Sequence, residues 1–315
     1  TGHNADYLVK ALNAYKKQSR KNKMMNDAVA NLKSGQIADL ATHYAKQTPK
    51  KISPSESTQS KGFDPIGQGA NIAAACNGCH GTNGNSTQPG TPSLAGLDPH
   101  YLTLAINAYK NGQRKHEMMK SFVTNLSETD VEKVSLYYAT QEPAAMPNTL
   151  KADAAAGASI ASACTACHGD LGNSSQANTP SIAGQEPGYI VSAMNDYKGG
   201  KREDENMQKA VAELSKADIK NYAAYFATQT RIKPEVRIPE APEVLAEKCF
   251  RCHGNEGMSI DNKIPRLAGQ LESYLFSALK QYSDETRKQT IMHAMSAGLS
   301  PLEQKAIAKY FAQHK

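Results

Sequence analysis

Six cysteines fall in three pairs, Cys76/Cys79, Cys164/Cys167 and Cys249/Cys252, each with two residues between and each followed at once by a histidine: His80, His168 and His253. Paired cysteines at this spacing suit zinc, a redox disulfide or haem attachment. The histidine discriminates. With 9 histidines in 315 residues, three such placements by chance have odds of roughly 2 in 100,000. A zinc site needs four ligands, and no unit supplies a second pair at matching positions. C-x-x-C-H anchors a c-type haem: two thiols form thioethers and the adjacent imidazole binds iron. The expected cofactor is therefore haem c, three times over.

A sixth iron ligand should recur at a fixed offset, because each pocket must place it opposite the histidine. Met119, Met207 and Met292 stand at one such offset from their motif histidines, thirty-nine positions on in every case. Neighbouring methionines fail this test, since Met118 aligns with Asn206 and Met295 with Ala210. Core filling is the usual role of methionine, but a fixed offset in every unit favours ligation. His100, His116 and His293 have no counterparts and read as surface residues. Pro92, Pro180 and Pro265 also keep a constant spacing, twelve positions after each histidine. Their carbonyls are candidate acceptors for the second ring N–H of the ligand. Arg114, Arg202 and Arg287, five positions before each methionine, are candidate partners for haem propionates.

The elements that must position these groups repeat with them. The offsets that carry Cys76 to Cys164 and Cys164 to Cys249 also carry TPSLAG to TPSIAG and IPRLAG, and Tyr101 to Tyr189 and Tyr274. The offset that carries Tyr7 to Tyr101 also carries Arg20 to Arg114 and Met25 to Met119. Residues 1–50 thus read as the C-terminal half of an incomplete unit, followed by complete units at 65–142, 151–230 and 242–315. Met25 is then a candidate ligand of a fourth haem, with a further C-x-x-C-H expected upstream. A relic packed on the unit that follows is the alternative. Residues 50–64, 143–150 and 231–242 are polar or proline-bearing and read as linkers.

Each complete unit reads as helical. A helix carries Ile72, Ile160 or Leu245 four positions before the first cysteine. Small residues in it would let a final helix cross closely. Ser127-x-x-Asp130, Ser215-x-x-Asp218 and Ser300-x-x-Glu303 predict capping boxes opening that final helix. No alternating strand pattern competes. The predicted fold class is all-α, tandem haem domains each wrapped around a covalent cofactor.

Helix, C-x-x-C-H, a proline and then a methionine at fixed spacings, and a capped last helix together resemble the class I cytochromes c. The loops Leu94–Leu97, Ile182–Gln185 and Leu267–Gln270, each followed by Tyr-Leu or Tyr-Ile, resemble those of the two-domain cytochrome c4 family. That resemblance implies an exported, periplasmic bacterial electron carrier, with a redox donor and an acceptor such as a terminal oxidase or membrane respiratory complex. The chain departs from the family in having three complete units and a fraction.

The expected function is passage of single electrons along a row of His/Met-ligated haems, with no catalytic residue. The alternatives are an electron-transfer subunit of a larger dehydrogenase or respiratory complex, and a haem enzyme whose active haem lies in the missing N-terminal part. No block of like charges suggests nucleic-acid binding, and no stretch approaches the ~20 apolar residues of a transmembrane helix. The formal charge of +6 is the protein's share only; six propionates bring it to about zero with ferrous iron and about +3 with ferric.

Overall fold

The computed structural model describes residues 3–47 and 63–314, so the predicted linker 50–64 lies outside the described residues except for its last two. The fold is all-helical: among the described residues no strand occurs, and the single bridge joins Arg114 to Arg202. The chain forms two compact units, Asp64–Ile238 and, discontinuously, Thr1–Phe63 with Pro239–Lys315.

Asp64–Ile238 contains one order of elements twice. An entry helix (Pro65–Ala73, Ala154–Ile160) leads to a short motif helix (Asn77–His80, Ser162–His168). A middle helix (Pro99–Lys110, Pro187–Lys198), a seven-residue methionine helix (Glu117–Val123, Glu205–Val211) and a closing helix (Glu128–Thr140, Lys216–Ala227) follow. Local chemistry sets these limits. Asp64 and Asp153 cap the entry helices, and Asp98 and Glu186 cap middle helices that begin with proline. Ser127 with Asp130 and Ser215 with Asp218 form full capping boxes. Each such cap contributes about 1 kcal/mol.

Entry and closing helices cross at a glycine. A Cβ on Gly69 would lie 2.2 Å from the Lys133 carbonyl oxygen, and one on Gly157 2.1 Å from that of Asn221. This approach lets the closing helix bury Val134 and Tyr138 in the first half and Ile219, Tyr222 and Phe226 in the second. Burial of each such side chain is worth about 1.5–3 kcal/mol.

In the other unit the same order runs through Pro242–His253, where entry and motif helices are continuous, then Glu272–Ser283, Thr290–Ser296 and Pro301–Gln313. Ser300 and Glu303 form its capping box, with Pro301 in the first turn. The core holds Leu245, Leu275, Ile307 and Phe311. The N-terminal segment adds Ala5–Lys16, Lys23–Val29 and Ser34–Lys46, with Val29, Ile37 and Ala41 buried. It shares a compact unit with residues 239–315.

Gly157→Ala should cost about 1–3 kcal/mol through overpacking, read by calorimetry as a lowered transition for Asp64–Ile238. Gly298→Ala, whose Cβ would meet nothing within 4 Å, should leave the melting profile unchanged.

Candidate haem centres

Each motif helix delivers a buried imidazole. His80, His168 and His253 are each 7% exposed. Their Nδ1 atoms stand 2.9, 2.8 and 2.8 Å from the carbonyl oxygens of Pro92, Pro180 and Pro265. A carbonyl only accepts, so Nδ1–H donates and the Nε2 lone pair is left bare. Burial lowers all three imidazole pKa values and favours this neutral form, against a smaller opposing effect of the proline carbonyl. A neutral imidazole with a bare Nε2 is what an iron ligand must present.

The acceptor loop is itself clamped. Leu94 and Ala95 donate their backbone N–H groups to the Gly84 carbonyl, and Gly96 donates to that of Tyr138. Ile182, Ala183 and Gly184 repeat this with Gly172 and Phe226, as do Leu267, Ala268 and Gly269 with Gly257 and Phe311. Gly84 has φ 78°, and a Cβ there would meet the Tyr138 ring at 2.6 Å. The glycine right after the motif, Gly81, approaches the Asn85 carbonyl, 1.9 Å from a built Cβ. Its role is to close this turn.

The six cysteines form no disulfide. The two cysteines of a motif differ in their surroundings. The first of each pair, Cys76, Cys164 or Cys249, is half-buried and packs against a core cluster. Burial raises its thiol pKa, for Cys249 to about 11. The second packs against none of these clusters. Cys79 is half-buried, its backbone carbonyl accepting from the Ser86 hydroxyl at 3.4 Å, whereas Cys167 and Cys252 are exposed. The cause is helical geometry: the two thiols stand three positions apart on a helix whose inner face is taken by the core. Among the described residues no group of three or more His, Cys, Asp or Glu could hold a bare metal ion, so the cysteine pairs do not gather into zinc clusters.

Met25, Met119, Met207 and Met292 all occupy the third position of a seven-residue helix. A side chain three positions earlier caps the methionine N–H: Asn22 at 3.0 Å, His116 at 3.3 Å, Asp204 at 2.9 Å and Gln289 at 2.9 Å. All four methionines are half-buried. Their neighbours Met24, Met118 and Met295 are 81%, 57% and 41% exposed. Met207 and Cys164 pack against one core cluster. Four different residue types perform the capping, which hides it from self-comparison of the sequence. His116 is one of them, and His293 bonds the Tyr282 carbonyl at 2.9 Å.

The arginines meet tyrosines. Within Asp64–Ile238, Arg114 Nη2 donates to the Tyr101 and Tyr197 hydroxyls at 3.3 and 3.5 Å. Arg202 reciprocates, to Tyr189 at 3.1 Å and Tyr109 at 3.4 Å. Lys115 N–H donates to the Lys201 carbonyl and Glu203 N–H to that of Gln113, each at 2.9 Å. The two halves are thus joined by a pseudo-twofold seam. Arg231, 6% exposed, crosses it, donating to Ala183 O at 2.9 Å and Ala95 O at 3.0 Å, while its Nη2 is buried with no partner. Having no counterpart in the other units, Arg231 is invisible to the repeat comparison.

Haem brings two propionates, and the seam tests whether the residues suit them. Asp196 approaches Arg202 at 3.6 Å. The buried Glu186 carboxylate is occupied by the backbone N–H groups of Gly90, Gly188 and Tyr189. Three guanidiniums with one nearby carboxylate and one orphaned N–H group fit an anionic cofactor edge. In the other unit Arg266 and Arg287 each bury an unpartnered Nε, and Arg287 lies 5.0 Å over the Tyr282 ring. The residues present fit haem.

Comparison with known proteins agrees. The family profile described as "Cytochrome C oxidase, cbb3-type, subunit III" matches residues 68–137. Cytochrome c4 of Pseudomonas aeruginosa is 34% identical over 167 residues, covering 49% of this chain and 83% of the relative. A protein named thiosulfate dehydrogenase electron acceptor, from Stutzerimonas stutzeri, is 30% identical over 205 residues, 56% of this chain and 95% of its own length. The structure of a thiosulfate dehydrogenase from Marichromatium purpuratum is alike in fold, with TM-score 0.50 and 23% identity over 79% of this chain and 68% of that one. With three C-x-x-C-H motifs, clamped histidines and this likeness, the chain is a multihaem c-type electron-transfer protein and belongs to the cytochrome c4 family.

Proposed function

We propose that this protein relays single electrons between periplasmic redox partners through three His/Met-ligated haems, carried by three domains at 65–142, 151–230 and 242–315. The axial pairs are His80/Met119, His168/Met207 and His253/Met292. The thioether anchors are Cys76 with Cys79, Cys164 with Cys167, and Cys249 with Cys252. The observation that carries this reading is the threefold Nδ1–H bond to a proline carbonyl, which orients a bare Nε2 in every motif. A haem held by these residues would supply a one-electron iron couple. The chain's own residues hold it still: proline carbonyls orient the histidines, and helix caps hold the methionines. Arg114, Arg202 and Arg287 supply positive charge toward the propionates. The same reading assigns Met25, at the third position of Lys23–Val29, to a haem whose attachment cysteines are not among these 315 residues.

A histidine and a methionine for each iron support the reading of the chain as a carrier. The relative from Stutzerimonas stutzeri, named as an electron acceptor for a dehydrogenase, supports a second reading: an electron-transfer subunit serving such an enzyme. Export to the periplasm follows from the chemistry of C-x-x-C-H attachment outside the bacterial cytoplasm. Among the described residues no helix is long and apolar enough to cross a membrane.

Met119→Ala should open one iron in three. Carbon monoxide titration of the reduced protein should then find one new binding haem, and the sulfur-to-iron charge-transfer band should fall by about a third. Met118→Ala, at an exposed neighbour, should do neither; equal effects from both variants would sink the ligand assignment. Arg231→Gln removes a buried positive charge, which favours the electron-rich state. Redox titration should show potentials falling by tens of millivolts, on the order expected for a charge at ~10 Å in a medium of dielectric constant near 20. Unchanged potentials would remove Arg231 from the propionate environment.

A further inference from the structure

Residues 3–47 and 239–314 share one unit although 64–238 separate them in sequence. Their contact carries the same arginine–tyrosine cluster as the seam between the halves of Asp64–Ile238. In that seam Arg114 sits among Tyr101, Tyr109, Tyr189 and Tyr197, two from its own half and two from the other. The residues corresponding to these five by the repeat are Arg20, Tyr7, Tyr15, Tyr274 and Tyr282. Arg20 hydrogen-bonds Tyr7, lies 5.0 Å over the Tyr15 ring and is within electrostatic reach of Tyr274. Tyr7 in turn interacts electrostatically with Arg20, Tyr274 and Tyr282. The opposing arginine, Arg287, stacks on Tyr282 as Arg202 stacks on Tyr197.

A second, polar contact uses the corresponding glutamine with a different partner. In Asp64–Ile238, Gln185 reaches across the seam to the backbone of Ser93, accepting from its N–H at 2.7 Å and donating to its carbonyl at 2.9 Å. Gln270 is its counterpart, and its Nε2 donates to His3 Nε2 at 2.6 Å. Asn262 Nδ2 adds a bond to Asp6 at 3.3 Å. The N-terminal segment therefore stands in the place of 65–142, and the C-terminal domain in the place of 151–230.

We infer that the chain is built as two nested pairs, 65–142 with 151–230 and 3–47 with 242–314, and that the Arg20–Tyr7 face of the N-terminal segment is the pairing surface of the Cys249/Cys252 haem. Haem partnership thus follows the seams and not the order of motifs along the chain. Arg20 and Tyr7 contribute to the environment of a haem attached near the other end of the sequence. The redox part of this inference rests on the haem reading above; the pairing itself rests on the contacts alone.

Two measurements on the full-length holoprotein test it separately. Hydrogen exchange of Tyr7→Ala and of Arg20→Gln should rise in peptides spanning 262–287 and stay unchanged in those spanning 93–114 and 181–202. Arg20→Lys should restore most of the protection, which a merely unfolded segment would not. Met292→His would move the C-terminal haem to a separate, lower-potential wave; Arg20→Gln in that background should shift this wave downward and leave the other waves in place. Unchanged exchange at 262–287, or an equal rise at 93–114, overturns the pairing. A Met292→His variant with no displaced wave would instead count against the ligand assignment, leaving exchange to decide the pairing.

Discussion

The fold depends on one hydrogen bond made three times, from a buried histidine Nδ1–H to a proline carbonyl. A buried imidazole with no partner at Nδ1 would be free to turn and to choose its tautomer. The carbonyl must therefore be held as firmly as the ring. The loop after each proline returns its N–H groups to one glycine carbonyl near the motif and one carbonyl at the end of the closing helix. Ligand orientation is in this way transmitted to the helix crossing, and the crossing requires glycine in the entry helices of Asp64–Ile238. Packing, loop geometry and iron chemistry form a single chain of dependence.

The seam works by a different balance. Buried guanidiniums are costly unless compensated, and within Asp64–Ile238 compensation by protein carboxylates is sparse: Asp196 faces Arg202 at 3.6 Å, while Glu186 is committed to backbone donors. Phenol oxygens and main-chain carbonyls take up many of the arginine N–H groups. These are dipoles, not charges, so the region keeps a positive potential for anionic cofactor groups. The bare formal charge of +6 thus describes an apoprotein whose excess is concentrated in part where haem would meet it.

Much of this was legible in the residues themselves. The motif histidines, the prolines that follow them at constant spacing and the capping boxes at Ser127, Ser215 and Ser300 announce themselves because repetition separates them from background. Repetition also hides what varies. The methionine helices are capped by Asn22, His116, Asp204 and Gln289, a shared geometry from unrelated side chains. Arg231 stands in a segment that reads as a proline-bearing spacer, yet it is 6% exposed and bonds main-chain carbonyls on both sides of the seam. Its position depends on how two repeats meet, and pairing between repeats leaves no periodic trace. The same limit applies to the N-terminal segment, whose likeness to other units is visible in sequence but whose partner is not.

Nesting has a consequence for how the chain is made. Asp64–Ile238 is contiguous, so every contact within it is available once its own residues have been synthesised. The helices Ala5–Lys16, Lys23–Val29 and Ser34–Lys46 emerge before it yet find Tyr274, Tyr282 and Gln270 only after the whole inserted unit has passed. Loop-closure entropy grows only logarithmically with the intervening length, so the equilibrium penalty is modest. The kinetic burden is larger, because contacts distant in sequence form slowly. During that wait the N-terminal helices would expose the surface that Arg20 and Tyr7 later bury, making these early-synthesised residues the last to settle and the natural point for assistance during folding.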